Sequence, residues 1–237
     1  NELYTGLNLL PGKYLIENIR NMNERVNMLR GFANSLTIAI SSTVLSIYFG
    51  TMTAFGLFEY KFRLKKVIYS ILMVSLMVPG QLGIIGLFKL CNSLNLLNTY
   101  WPIILPSIAN ASTIFFVLQY LESAMSEELF DSARIDGAGE VRIFHSFVLP
   151  LSKPALSTMC IFNFVSYWNN FFNPMILLFD DDKFTVPLLI NNMNSGMLQD
   201  LGAKYAAIAV SIVPIIVIYC FISKSLTKGM MAGAIKS

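Results

Sequence analysis

The chain has 237 residues, of which 55% are hydrophobic and 13% charged, with a net charge of +3. That is more apolar and about half as charged as a soluble domain, which excludes an ordinary water-soluble globule. No basic run interleaved with aromatics offers a nucleic-acid groove.

Asn1 rather than Met opens the chain, so a preceding segment is expected in the gene product, with one further membrane span. Residues 1–31 then form an external segment and 32–237 the transmembrane domain. Within the first part, Tyr14, Leu15, Ile19, Met22, Val26 and Leu29 recur at loose helical spacing and predict an amphipathic helix over 14–30 at the outer interface. An ordinary surface helix explains the same pattern.

Crossing about 30 Å of hydrocarbon takes roughly 20 helical residues. Five runs suffice, near residues 32–58, 67–90, 101–121, 154–179 and 205–222. One set of connecting segments carries Lys61, Arg63, Lys65, Lys66, Arg134, Arg142, Lys153, Lys224, Lys228 and Lys236, and the other offers Lys89, Lys183 and Lys204 beside the acidic run Asp180, Asp181, Asp182. The basic side therefore reads as cytoplasmic. Lys13, Arg20, Arg25 and Arg30 on the other side run against the count.

No ionisable residue falls in the centre of any run. Ion-coupled transport normally needs one there, so an ATP-independent secondary transporter or facilitator of a neutral polar solute is the weaker alternative. The spans carry amides and helix breakers instead. In the fourth, Asn163, Ser166, Tyr167, Asn170 and Pro174 share one helical face, a surface suited to a polyhydroxylated solute and equally to gluing helices together. Gly80, Gly83 and Gly86 in the second span read as close helix packing. Cys91, Cys160 and Cys220 lie in or beside apolar runs, without metal-site or disulfide spacing.

The chain has no phosphate-binding loop, nucleophile elbow or paired metal-binding histidines, and its one histidine, His145, reads as a surface or interface residue. No catalytic residue, cofactor site or metal site is expected. One segment, 122–153, remains conspicuous. Ser126 is placed to cap a helix beginning at Glu127 and Glu128 and running to about Ile135. Gly137 and Gly139 allow a sharp turn, and a second short helix runs from about Glu140 until Pro150. Leu129, Ala133, Ile135, Val141, Phe144 and Phe147 give this elbow more apolar surface than a plain connector needs. Such a surface suits a docking partner, or else packs on the chain's own spans.

With Asp131-Ser132-Ala133, Gly137 and Leu149-Pro150, the elbow resembles the EAA motif of ABC importer permeases. The string from Glu127 to Ala138 is similar to that of the maltose-type carbohydrate branch, as are Leu96–Tyr100, Trp168–Phe171 and the ending Gly229–Lys236. The resemblance implies an all-α, polytopic protein with the type I ABC importer permease fold. It would be the second permease of a heteromeric, binding-protein-dependent sugar importer in the cytoplasmic membrane of a prokaryote. It further implies a homologous permease partner, an extracytoplasmic solute-binding protein, and two ATPase subunits that hold ATP and Mg themselves. Glu128, Asp131, Ser132, Ala133, Gly137, Ala138, Leu149 and Pro150 would then form the ATPase-coupling surface, with Met231, Gly233 and Lys236 adding a C-terminal contact. Asn163, Tyr167 and Asn170 are the candidate translocation path, and the segment 180–201 matches the region that meets the binding protein. Asp131 stands where Glu is usual, Ser132 where Ala is usual and Phe147 where Ile is usual, which bears on the choice of ATPase.

Overall fold

The computed structural model describes residues 14–193 and 200–221, and these are helical throughout, with short irregular joints. Helix α1 (Leu15–Arg25) stops short of the expected Arg30, because the backbone turns extended at Val26. Asn27 then caps α2 (Met28–Glu59), its side chain accepting from the Arg30 N–H at 3.1 Å. At 1.5 Å per residue the 32 residues of α2 reach about 48 Å, more than a bilayer core. This helix is the axle of the molecule. Its buried face is small and hydroxylated, with Ser35, Ala39, Ser42, Ser46, Gly50 and Ala54, so neighbouring helices approach closely. A side chain at Gly50 would stand 2.9 Å from Thr113 Cγ2.

The second predicted span is not straight. Helix α3 (Lys65–Met77) and the segment Gly80–Ser93, which holds a 3₁₀ turn at Gly80–Gly83 and α4 (Ile84–Ser93), meet at 100°. Val78 is forced out of helical geometry by the proline that follows it, and Pro79 has no N–H to continue the ladder. The expectation that Gly80, Gly83 and Gly86 pack against a helix is corrected: within this chain a Cβ at any of them would meet nothing within 4 Å.

The third span is composite: α5 (Trp101–Ile104), a 3₁₀ stretch Leu105–Ala109, and α6 (Ala111–Ala124), which Asn110 caps by accepting from Thr113 N at 2.9 Å. Then comes the elbow, α7 (Glu127–Ile135) and α8 (Glu140–Ile143), a π turn over Phe144–Val148, and α9 (Leu149–Leu151). Two expectations change here. Ser126 occupies the cap position without a side-chain cap bond, and the second helix passes through Pro150 to Leu151. The widened π turn just before Pro150 is the kind of local rearrangement that relieves the clash proline makes with the preceding turn.

The chain turns by 77° into α10 (Lys153–Trp168), breaks at 169–171, and resumes as α11 (Phe172–Leu177). A 3₁₀ turn Asp181–Lys183 and α12 (Val186–Asn192) precede α13 (Leu201–Ser211), part of a 21-residue apolar helix ending at Phe221. Helix α1 lies on α13, with Met22 buried and Asn21 Nδ2 donating to Asp200 Oδ2 at 3.1 Å. It is thus a packed helix of the body. Among the described residues three helices alone are long and apolar enough to cross a membrane, or up to five spans if each bent pair counts as one.

Two apolar cores occupy the two ends. One gathers Met22, Ile38, Trp168, Leu177 and Phe184, and the other Phe55, Leu121, Phe130, Ile143 and Phe144. Asn163 sits inside the body as a polar knot: its Nδ2 donates to Ser46 Oγ at 3.1 Å and Thr113 Oγ1 at 2.8 Å, tying α10 to α2 and α6.

Candidate functional site: an elbow at one end and a clamp at the other

At the basic end, the elbow is fastened to the chain by its aromatic side and shows its charged side to solvent. Phe130 is fully buried and packs edge-on against Phe55 at 5.3 Å and Phe58 at 6.2 Å. Ala133, Ile143, Phe144 and Val148 are buried with it. Of the six apolar residues expected on the elbow, Ala133 and Phe144 are therefore internal, and Leu129 and Phe147 are half-buried. What stays outside is Ile135 at 87% and Val141 at 74% exposure, flanking the turn. Glu128, Asp131, Ser132 and Gly137 are exposed on the same elbow, Pro150 lies exposed at its far end, and Ala138 and Leu149 are half-buried. A charged and apolar surface of this mixed kind can seat a protein partner.

Gly137 has φ +82°, the left-handed conformation that an L side chain rarely takes. It closes α7, with Ala138 N donating to Ala133 O at 2.9 Å in a Schellman-like end.

Arg134 organises the charged side. It donates to Glu59 at 2.5 Å, Glu140 at 2.8 Å and Asp131 at 2.9 Å. The Glu59 side chain is 5% exposed, against 49% for Glu140 and 67% for Asp131. Tyr60 donates its hydroxyl to Glu140. Hydrogen bonds from Arg134 and then from Tyr60 hold the Glu140 carboxyl below its ordinary range. Burial, reinforced by Glu140, pushes the Tyr60 phenol up to about 12. Hydrogen bonds to Glu140 and Glu59 raise the Arg134 guanidinium further above its usual value, so it is always charged. Removing one partner of a buried ion pair costs about 3–5 kcal/mol, because the other charge is left without compensation.

Glu59, Tyr60, Phe130, Arg134 and Glu140 were not singled out from the sequence as site residues. The available signal was Glu59, the one acid in α2, directly before the cations Lys61, Arg63, Lys65 and Lys66. His145 bridges within the elbow's root, Nδ1 against Val141 O at 2.8 Å and Nε2 against the Tyr48 hydroxyl at 3.2 Å.

At the opposite end, Asn98 forms a clamp. Its φ is +59°, its Nδ2 donates to Asp180 Oδ2 at 2.6 Å, and its Oδ1 accepts from Phe179 N at 3.0 Å and Asp180 N at 3.2 Å. Asp180 is held below its ordinary range by Lys183 and by Asn98. Asp182 pairs with Arg30 at 3.0 Å. Arg30, one of the cations that run against the charge count, is thus answered by an acid on its own side. A cleft of about 910 Å³ opens beside this clamp, with Arg30, Asn34, Tyr100 and Trp101 around it and Ile40 and Val44 on its walls.

The proposed path residues do not form one open stripe. Asn163 is 4% exposed and engaged in the polar knot, the Tyr167 hydroxyl accepts from Asn110 Nδ2 at 2.9 Å, and Asn170 lies past the end of α10, where its side chain accepts from Asn173 N at 3.2 Å. The helix break at 169–171 separates Asn170 from the other two. Met231, Gly233 and Lys236 lie outside the described residues, as do 194–199 of the segment 180–201.

A family model for the inner membrane component of binding-protein-dependent transport systems matches residues 25–231. The chain belongs to that family. Among curated relatives it is 34% identical to the arabinooligosaccharides transport system permease protein AraQ of Bacillus subtilis, over 86% of this chain and 73% of that one. It is 31% identical to the diacetylchitobiose uptake system permease protein NgcG of Streptomyces coelicolor, over 96% and 76%. Identity to the lactose transport system permease protein LacG of Rhizobium radiobacter is 28%, over 95% and 82%. The fold matches, with a TM-score of 0.78, a chain of the crystal structure of a bacterial ABC transporter involved in the import of the acidic polysaccharide alginate, at 24% identity over 93% of this chain and 83% of the other. The elbow and the clamp are therefore features of a multi-pass transport permease with the type I fold.

Proposed function

We propose that this chain is one permease subunit of an ABC importer for a neutral sugar or oligosaccharide. One of two ATPase subunits, which hold ATP and Mg, docks on its elbow from the cytoplasm, a second homologous permease completes the path, and a solute-binding protein delivers the sugar. The exposed group of Asp131, Ile135, Gly137 and Val141 at the basic end carries this reading, since it offers a charge and two apolar anchors on a rigid turn. The substrate class rests on relatives named for arabinooligosaccharides, diacetylchitobiose and lactose. Uptake is then alternating access, with closure of the ATPases moving the elbow and the helices attached to it.

The test is uptake of labelled oligosaccharides into vesicles containing the complete complex. Transport should require ATP and the binding protein, and the ATPase subunits should copurify with this chain. Uptake that persists without ATP, with no ATPase copurifying, rejects the reading.

A further inference from the structure

The exposed face of the elbow explains docking but leaves open how its movement reaches the far side of the membrane. Between the elbow and α2 stands Arg134. Its fork spans Glu140 on α8, Asp131 on its own helix, and the buried Glu59 at the last position of α2. Phe130, one turn earlier, is inserted against Phe55 and Phe58 of the same helix end. Polar and apolar contacts thus grip α2 at one place.

We propose that Arg134 is a positioning residue that, through Glu59, makes the elbow and α2 move as one body, so that displacement of the elbow is delivered to the turn Asp181–Lys183 at the opposite end. The inference rests on the elbow being the ATPase seat.

The far end of α2 is fastened in the same way. Arg30 Nη1 pairs with Asp182 Oδ1 at 3.0 Å and its Nε donates to Asp182 O at 3.0 Å. Asn34 Nδ2 donates to Asp182 O at 2.9 Å and to Phe184 O at 3.0 Å, and Val186 N donates to Ser35 Oγ at 2.9 Å. Between the two grips α2 is one unbroken helix, whereas the spans formed by α3 with α4 and by α10 with α11 are interrupted. An unbroken hydrogen-bonded helix transmits a push or a tilt without changing length, and an interrupted one absorbs it at the break.

The division of partners around Arg134 suits this role. Asp131, the most exposed of the three carboxylates, is the one a cation of a docking subunit can reach. When Asp131 turns to such a partner, Arg134 keeps Glu59 and Glu140, so docking leaves the joint intact. Lysine cannot replace the arginine here, because a single ammonium has no planar fork with which to hold several carboxylates in fixed directions.

The experiment uses the complete complex of both permeases, ATPase subunits and binding protein in proteoliposomes. A spin label is placed at Asp181→Cys, with Cys91, Cys160 and Cys220 replaced by serine. Without any change at the joint, ATP binding should alter the label's mobility. In Glu59→Gln and in Arg134→Lys, ATPase subunits should copurify and hydrolysis stay within about twofold, while solute taken up per ATP falls roughly tenfold and the label response disappears.

Three results overturn the proposal: a label that ignores ATP in the otherwise unsubstituted protein, variants that keep both the uptake ratio and the label response, or ATPase association and uptake lost in equal proportion. The last would mean that Arg134 only seats the elbow. The first does not depend on either joint variant accumulating in the membrane. Failure of the underlying docking reading looks different, since ATPase subunits would then fail to copurify with the unsubstituted chain.

Discussion

Asn163 donates through one amide nitrogen to both Thr113, at 2.8 Å, and Ser46, at 3.1 Å, so three membrane helices share a single polar group. The two hydroxyls also bond each other at 2.9 Å. Asn163→Ala leaves that last bond in place and removes the other two. Hydrogen bonds between membrane helices contribute about 0.6 kcal/mol on average and up to about 1.7, so a loss of about 1 kcal/mol is expected. Thermal unfolding in detergent measures it. Substrate preference should not change, and an altered preference at unchanged stability would return Asn163 to the translocation path.

Gly137→Asp should abolish coupling while leaving the chain in the membrane. Its space is open, so the cause is not a clash. The left-handed φ of +82° costs most L residues about 1–2 kcal/mol but Asp and Asn less, so the damage from Asp comes mainly from the negative charge it adds to the exposed docking turn. Asn tolerates that region better, so Gly137→Asn should keep more uptake than Gly137→Ala. Equal uptake by the two would show that φ is not what matters there.

Asn98→Gly preserves the backbone of the clamp and deletes its side-chain bonds to residues 179 and 180. Each intramolecular hydrogen bond contributes about 1 kcal/mol net, so local opening of this turn should become roughly tenfold or more easier. Amide hydrogen exchange at 179–183 reads it directly. Stimulation by the binding protein should drop in the same variant.

The elbow should loosen in acid. Glu140 has a depressed pKa because Arg134 and Tyr60 donate to it, and Arg134 in turn faces Glu59 and Asp131. A depressed carboxyl stabilises the fold above its unfolded value, here 4.5, and that contribution disappears as pH falls through the lower folded value. Tyr60 runs in the opposite sense. Its contribution is whole below 10.0 and lost as pH rises toward about 12. Glu140 is half exposed, so screening keeps the effect small. Thermal unfolding across acid pH should show a step that Glu140→Gln abolishes.

The spans were legible because lipid demands long apolar runs, and three of the five ranges, 32–58, 101–121 and 205–222, fall close to single observed helices. The runs 67–90 and 154–179 have the right composition and the wrong shape: in the first, Pro79 acts on backbone geometry that hydropathy does not register, and in the second the helix ends at Trp168. The turn at Gly137 was legible because glycine after an amphipathic helix has a local meaning. Phe130 was not, although it lies inside the motif: which aromatic of the elbow turns inward depends on Phe55 and Phe58, set by tertiary packing. The fourth-span stripe failed for a similar reason. Helical phase was assumed to continue through 169–171, where the helix has already ended.

Arg134 reaches Glu59 across 75 positions of sequence. At about 5–20 residues added per second, the ribosome needs roughly 4–15 s to supply the arginine after the glutamate. During that interval the end of α2 has its acid without its cation, and Phe55 without its cover. The elbow that completes it is therefore also a late step of assembly, and a newly made chain whose elbow is damaged offers the membrane's quality-control machinery an unpaired carboxylate beside bare aromatic rings.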